Sequence, residues 1–333
     1  MKSLASVIRR FRVYNQWRVY IVHRQPIRHL IGNLWTLPFR IKAQSMPDFH
    51  KAPPAVLTFA ATDPSGGAGI QADLLTLASM GCHPLSVVTA ITVQDTSGVE
   101  GIFPIDADWV ADQARAILED VPVAAFKIGV LGSVENISAV AEIVSDYPEI
   151  PLILDPVLAS ARGDEFTNDE AIAAIRDLLI PQCTVITPNT PELRRLALEE
   201  DEENANIETL ALRLVEGGAE FVLVTGTHES TPDVINTLFY ERGIVRSDTW
   251  HRLPGSYHGS GCTLASALAA TIARGMDISD AVREAQDYTW QALKYGFRPG
   301  MGQLIPDRMF WARDDGEDSA GAQAEAAPTG ARH

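Results

Sequence analysis

Six short apolar runs govern what this chain can fold into. They are "AVLTFA" (55–60), "LSVVTAITV" (85–93), "VAAFKI" (123–128), "PLILD" (151–155), "CTVIT" (183–187) and "FVLVTG" (221–226). Each is rich in β-formers, and most are too short for a helix, so they read as buried strands. Between them, segments near 107–120, 134–145, 168–180 and 206–217 carry apolar residues three and four apart, the spacing of an amphipathic helix. Strand–helix alternation of this kind predicts an α/β fold, with a mainly parallel central sheet and helices on both faces. Runs at 234–240 and 243–250 joined at "ERG" predict a hairpin, and closing helices start near Ser260 and Ile278. No linker divides 55–312, so one doubly wound domain is expected.

The two ends read differently. Residues 1–45 hold nine Lys/Arg and no Asp/Glu, leaving 18 basic and 43 acidic residues for the remainder, a net of −25. A body that acidic is a poor partner for nucleic acid or an anionic membrane, and no apolar run has the length of a membrane span. If such a body handles phosphates, it must use backbone amides, metal and a few placed cations. Residues 1–45 are a basic extension that reads as a transit-like leader, a basic amphipathic surface segment or, the favoured reading, sequence upstream of a start at Met46. The domain is expected to occupy 46–313, and 314–333 to be a disordered tail. Cys82, Cys183 and Cys262 form an odd set without metal-ligand spacing, which argues against disulfides and for a reducing cytoplasm.

Chemistry in a doubly wound sheet belongs beyond the carboxyl ends of its strands, and three stretches fall there. "TDPSGGAGIQADL" supplies Gly66, Gly67 and Gly69 before a helix from about Ile70. Gly67 to Ala72 also fits the loose dinucleotide fingerprint, with Asp95 at the acidic position, but "TDPSG" separates strand from glycines where that fingerprint needs a tight turn. "TPNTPE" places Asn189 and Glu192 three apart, as hard oxygen ligands for Mg²⁺ or as a capped helix start. In "PGSYHGSGCTLASALAA", glycines lead into a helix whose first amides, Gly259 to Cys262, suit an anion. Cys262 at that mouth is either a small packing residue or a thiol whose pKa the helix dipole lowers, fit to act as a general base. Cys82 and Cys183 read as core.

Taken in order, "TDPSGGAGIQADL", "VTAITVQDTSGV", "KIGVLGS", "LDPVLAS", "ITPNTPE" and "HGSGCTLASALAA" resemble the hydroxymethylpyrimidine/phosphomethylpyrimidine kinases of the ribokinase-like superfamily. The resemblance covers nearly all of 55–312 and implies a three-layer ribokinase-like fold. It also implies ATP and Mg²⁺ as cofactors and two successive phosphorylations of 4-amino-5-hydroxymethyl-2-methylpyrimidine. By position, Gln94 would bond the aminopyrimidine edge, as a carboxamide offers donor and acceptor. Asp73, Ala68, Gly67, Val130 and Val157 would complete the ring pocket. Asn189 and Glu192 match the element that organises Mg²⁺ and phosphates, with Asp155 a further metal-side oxygen. Thr225, Gly226 and Arg162 fall on the ATP side. Cys262, with Gly259, Ser260 and Gly261, stands where most of the superfamily ends its anion turn in a catalytic Asp. A homodimer is the family expectation.

The chain departs from the family pattern at several points. Val130 replaces a Met that would contact the ring, and Thr225 replaces a Lys on the nucleotide side. The Lys usual after "DPVM" is missing, with Arg162 one place off, and "SYHGSGC" puts Tyr257 before His258. Lost point cations weaken charge neutralisation, chiefly for the second phosphorylation. Pyridoxal kinase of the same fold is the nearest alternative, and a non-catalytic pyrimidine-binding regulator is the alternative of another class.

Overall fold

The computed structural model describes residues 11–13, 16–18, 52–159, 167–198, 205–229 and 231–313. The chain forms two units, Met1–His50 and Lys51–His333. In the first, β1 (Phe11–Val13) and β2 (Gln16–Arg18) pair antiparallel. Arg162 and the tail at 314–333 lie outside the described residues.

In the second unit, β3 (Ala55–Ala60), β4 (His83–Val88), β7 (Val123–Ile128), β8 (Leu152–Leu154), β9 (Val185–Ile186) and β10 (Phe221–Val224) are the parallel strands. The hairpin β11 (Asp233–Tyr240) and β12 (Gly243–His251) adds antiparallel to β10, giving the order β12-β11-β10-β9-β8-β7-β3-β4. Period-two alternation sorts the strand side chains into two cores. Leu57, Phe126, Leu154 and Val222 meet α2 (Ala107–Leu118), α3 (Val134–Ser145), α4 (Asp169–Ala174), α5 (Thr190–Ala197) and α6 (Ile207–Glu216). On the opposite face, Val56, Ala125, Ile153 and Leu223 meet α1 (Gly69–Ser79), α7 (Ser260–Ala273) and α8 (Ile278–Lys294). This is the three-layer α/β architecture expected from the alternation.

Two expectations need correction. The helix anticipated over 168–180 is α4 followed by a wider turn at Ile175–Leu179 and a tight one at Ile180–Gln182, where Pro181 removes an amide donor. The run at 85–93 is two strands. Thr89 breaks it, donating its amide to the Ala60 carbonyl (3.1 Å) and its hydroxyl to the Val130 carbonyl (2.6 Å). The chain then leaves the main sheet as β5 (Ala90–Gln94), which pairs antiparallel with β6 (Val99–Pro104) in a ribbon of its own. Ile91, Val93 and Phe103 point to solvent, whereas Thr92, Gln94 and Ile102 turn toward the sheet's carboxyl end, where they line a cavity. Among the described residues, no helix is long and apolar enough to cross a membrane.

Candidate active site

A cavity of about 190 Å³ opens at the carboxyl ends of β3, β7, β8, β9 and β10. The turn at 63–69 forms one wall. Asp63 folds it by accepting from Ser65 N (2.9 Å), Ser65 Oγ (2.8 Å) and Ala68 N (2.6 Å). Gly69, at φ +58°, lies so close to the Ala61 carbonyl that a Cβ would sit 2.6 Å from that oxygen. The turn before α7 packs on this one, backbone against backbone. Gly259 is left-handed (φ +81°), and any side chain there would collide with the Gly67 carbonyl. Arg308, nearly fully buried, locks the pair by donating to the carbonyls of Gly66 (3.3 Å) and Gly67 (2.5 Å) and to Thr263 Oγ1 (3.1 Å).

Because α7 begins at Ser260, the amides of Ser260, Gly261 and Cys262 have no acceptor within the helix, and these residues line the cavity. Their free donors face the cavity where the sequence reading expected an anion-binding turn. The thiol of Cys262 departs from expectation. Burial, reinforced by the nearby Asp155 carboxylate, pushes it up to about 12, against the lowering influence of Lys127 and of the Gly69 amide. The helix start is outweighed, so Cys262 rests as a neutral thiol rather than a ready thiolate.

Two carboxylates face the same space. Asp155 is buried, and its Oδ2 has no hydrogen-bond partner. Burial raises its pKa; Lys127 and a hydrogen bond with Cys262 only partly offset this. Glu192 is raised to about 8, first by burial and then by Asp155, against hydrogen bonds from Asn189 and Leu158. Asn189 and Glu192 close a capping box on α5: Asn189 Oδ1 accepts from Glu192 N, and Glu192 Oε2 accepts from Asn189 N, both at 2.9 Å. The capped-helix reading is therefore the observed geometry, and it holds Glu192 on the cavity wall. An orphaned carboxylate oxygen beside a carboxyl group that burial protonates is the donor set a hard divalent cation would relieve, with water or phosphate oxygens completing its shell. Among the described residues, no group of three or more His, Cys, Asp or Glu side chains is arranged to hold a metal.

Gln94, Ala68, Val130, Val157, Asp155, Asn189, Glu192, Thr225 and the stretch Gly259–Cys262 all line the cavity. Three expected residues do not, and each has a physical reason. Asp73 lies beneath the cavity, fully buried, and its oxygens take Thr58 Oγ1 (2.7 Å), Ser266 Oγ (2.7 Å) and Lys127 Nζ (2.9 and 3.0 Å). With its acceptors so occupied, it is a counter-ion for Lys127 rather than a ring contact. Gly67 is covered by the His258 ring, which leaves no room for a Cβ. Gly226 packs on the Ile235 backbone and donates its amide to Asn236 Oδ1 (3.1 Å).

Sequence reasoning missed Lys127, Arg308, Asp63 and His258. Lys127, inside an apolar strand, was the one legible signal, since a buried lysine requires a partner. Burial works to lower its pKa, but Asp73, Cys262 and Asp155 together raise it, so it stays charged.

A parallel sheet with free helix-start amides, a thiol and two carboxylates at its carboxyl end defines a ribokinase-like phosphotransferase. Residues 63–307 match the phosphomethylpyrimidine kinase family. The chain belongs to the hydroxymethylpyrimidine/phosphomethylpyrimidine kinase family and is a kinase. It is 36% identical over 264 residues to the hydroxymethylpyrimidine/phosphomethylpyrimidine kinase of Streptomyces coelicolor, covering 78% of this chain and 96% of that one. The Escherichia coli enzyme of the same name is 38% identical, covering 71% and 90%. Among solved structures, a phosphomethylpyrimidine kinase from Clostridium difficile superposes with a TM-score of 0.62 at 32% identity, covering 72% and 99%. A pyridoxal kinase from Staphylococcus aureus in complex with pyridoxal gives 0.71 at 27% identity, covering 79% and 96%.

Proposed function

We propose that this kinase transfers the γ-phosphoryl group of ATP to the hydroxymethyl group of 4-amino-5-hydroxymethyl-2-methylpyrimidine, and then phosphorylates the monophosphate to the diphosphate used in thiamine biosynthesis. The observation that carries this reading is one cavity lined by Gln94, by the helix-start turn with Cys262, and by Asp155 with Glu192. Its volume, about 190 Å³, is below the roughly 300–1,000 Å³ of sites for drug-sized ligands and suits a single small ring. Gln94 would pair with the aminopyrimidine edge, between Val130 and Val157.

In the transfer, the substrate hydroxyl oxygen bonds to the γ-phosphorus as the bond to the ADP oxygen breaks. The amides of Ser260, Gly261 and Cys262 are disposed to accept charge on the transferred group, the larger part of catalysis in such reactions. Mg²⁺, held by Asp155 and Glu192, would neutralise phosphate charge. Cys262, neutral at rest, orients the hydroxyl by hydrogen bonding, and the proton leaves with the transferred phosphoryl oxygens. With Thr225 where a cation is usual, the monophosphate is expected to form faster than the diphosphate.

A second reading, pyridoxal as substrate, is favoured by the closer superposition on a pyridoxal kinase. Incubation with Mg·ATP and each ring alcohol in parallel, followed by product identification, separates the two. A pyrimidine monophosphate that proceeds to diphosphate supports the first reading, and preferential turnover of pyridoxal replaces it.

A further inference from the structure

His258 sits between the ring-recognition residue and the glycine turn. Its Nε2 is 2.8 Å from Asp63 Oδ2 and 2.8 Å from the side-chain amide of Gln94 at Nε2. One ring nitrogen carries either a hydrogen or a lone pair, so it cannot donate to Asp63 and accept from Gln94 at once. Asp63 decides the matter. Its remaining contacts, from Ser65 and Ala68, are all donors to it. Although burial opposes ionisation, hydrogen bonds from His258, Ser65 and Ala68 hold it below the usual carboxylate range. It is therefore an anion, and His258 Nε2 carries the hydrogen.

Thr92 imposes the same condition from the other side. Its single hydroxyl hydrogen goes to the Thr62 carbonyl at 2.7 Å, so its oxygen meets the Gln94 amide, 3.3 Å away, as an acceptor. Half a turn of a carboxamide exchanges its ends, and hydrogen-bond partners decide between them. The one Nε2 hydrogen is shared between Asp63 Oδ2 and the Gln94 carboxamide, each 2.8 Å away, and an NH₂ turned toward it would set hydrogen against hydrogen. That shared donor and the acceptor at Thr92 select one sense: oxygen toward His258, NH₂ toward Thr92.

We infer that His258, oriented by Asp63, is a positioning residue that fixes the sense of the Gln94 carboxamide, and with it the donor and acceptor offered to the substrate ring. This rests on the proposed role of Gln94 in binding an aminopyrimidine-type ring. His258 also immediately precedes the turn at Gly259–Cys262 and lines the same cavity.

The test is a double-mutant cycle on the full chain with His258→Phe and Gln94→Ala, read by KM and by calorimetric binding of the ring alcohol without ATP. His258→Phe keeps a ring against Gly67 but has no N–H. Loss of that one orienting bond is expected to raise KM for the ring about tenfold, with kcat and KM for ATP within about threefold. In the Gln94→Ala background the same change should add nothing. His258→Gln, which restores a donor, should recover most of the loss; His258→Leu substitutes if the Phe variant does not fold. Effects that add independently, or a Gln variant as impaired as the Phe variant, overturn the inference. Wild-type turnover of pyrimidine and pyridoxal is measured separately and tests the substrate reading. The cycle is then run with whichever ring alcohol the wild type phosphorylates.

Discussion

Carboxylates behind the proposed ring end and within the proposed phosphate end of the cavity are satisfied differently. Behind His258, Asp63 is surrounded by donors and held below its ordinary range. At the phosphate end, Asp155 has an orphaned oxygen, Glu192 is pushed up to about 8 and the Cys262 thiol to about 12, each chiefly by burial. The ring end is complete without ligand, as a recognition surface should be if its polar groups are to keep one arrangement. The phosphate end carries groups that burial has left without enough positive charge. Lys127 is buried there, but Asp73 grips it through both carboxylate oxygens. On the function proposed above, recognition is preorganised, whereas charge compensation is left for the arriving cation and phosphates.

If that contrast is right, the largest effects come from the phosphate end. Asp155→Asn should lower kcat/KM by about 10³-fold, the scale of losing one electrostatic contact made mainly in the transition state. Steady-state kinetics at saturating Mg·ATP check this. Calorimetric binding of the ring alcohol should change by less than about threefold, since Asn is nearly isosteric and the ring end is intact. A matching loss of ring binding would mean that the two ends are not separate.

Cys262→Ala is expected to cost about 10²-fold in kcat, the scale of losing a contact that orients the reacting hydroxyl. Its companion is a thiolate titration by ultraviolet absorbance and alkylation rate. In the free protein, Cys262, half-buried in the cavity wall, should alkylate slowly at pH 7–8 and titrate well above an ordinary thiol. Rapid alkylation at neutral pH would restore the ready-thiolate picture and blur the difference between the ends.

The third effect is on stability. Glu192 is raised from an ordinary value of 4.5 to about 8, so between those values the folded state holds a proton that the unfolded chain releases. Its contribution to stability is thus greatest at the acid end of that window and falls as pH rises to about 8. Thermal melts without divalent cation should show this decline, and Mg²⁺ should raise Tm more at pH 8 than at pH 6. Glu192→Gln should flatten both dependences. Asp63 has the opposite sign: its contribution is present above its unfolded value and is lost only as pH falls through the depressed folded one.

Much of this frame was legible in the sequence because local periodicity dictates it. The strand at 55–60, the helix at 134–145 and the helix start at Ser260 fall where apolar spacing and the glycine turn put them. The ribbon Ala90–Gln94 with Val99–Pro104 was hidden, because Thr89 inside a β-rich run looks like one more strand residue. What breaks the run there is a hydrogen bond to the Val130 carbonyl, a tertiary contact with no local trace. The same reason explains the misread thiol. A helix dipole is a local property, and it marked the turn as a place of free amides. The burial and the Asp155 charge that decide the protonation of Cys262 come from β8, far along the chain. Asp73 was misassigned likewise, since only the fold brings Lys127 to it. The capping box at Asn189 and Glu192 was readable because both partners lie within one turn of helix.

The smallest predicted effect sharpens the ring end. Val130 lines the ring cavity and also a larger one of about 540 Å³ beyond β7 and β8, and Val157 does the same. Gly129 and Asp155 also border both spaces, so the two valines are the apolar part of a shared wall. Val130→Met lengthens one side chain of that wall and offers the ring more apolar contact while leaving Gln94 and the carboxylates in the sequence. The added contact is expected to be worth about 1 kcal/mol, the low end for a methylene-sized change in a hydrophobic pocket. KM for the preferred ring alcohol should fall by up to about tenfold with kcat unchanged, and the pyrimidine-to-pyridoxal ratio of kcat/KM should move with it. Competition assays with both rings measure that ratio directly. A change in kcat instead of KM would mean that this wall acts on the transferred phosphoryl group, and the division of the cavity into a recognition end and a charge end would have to be redrawn at Val130.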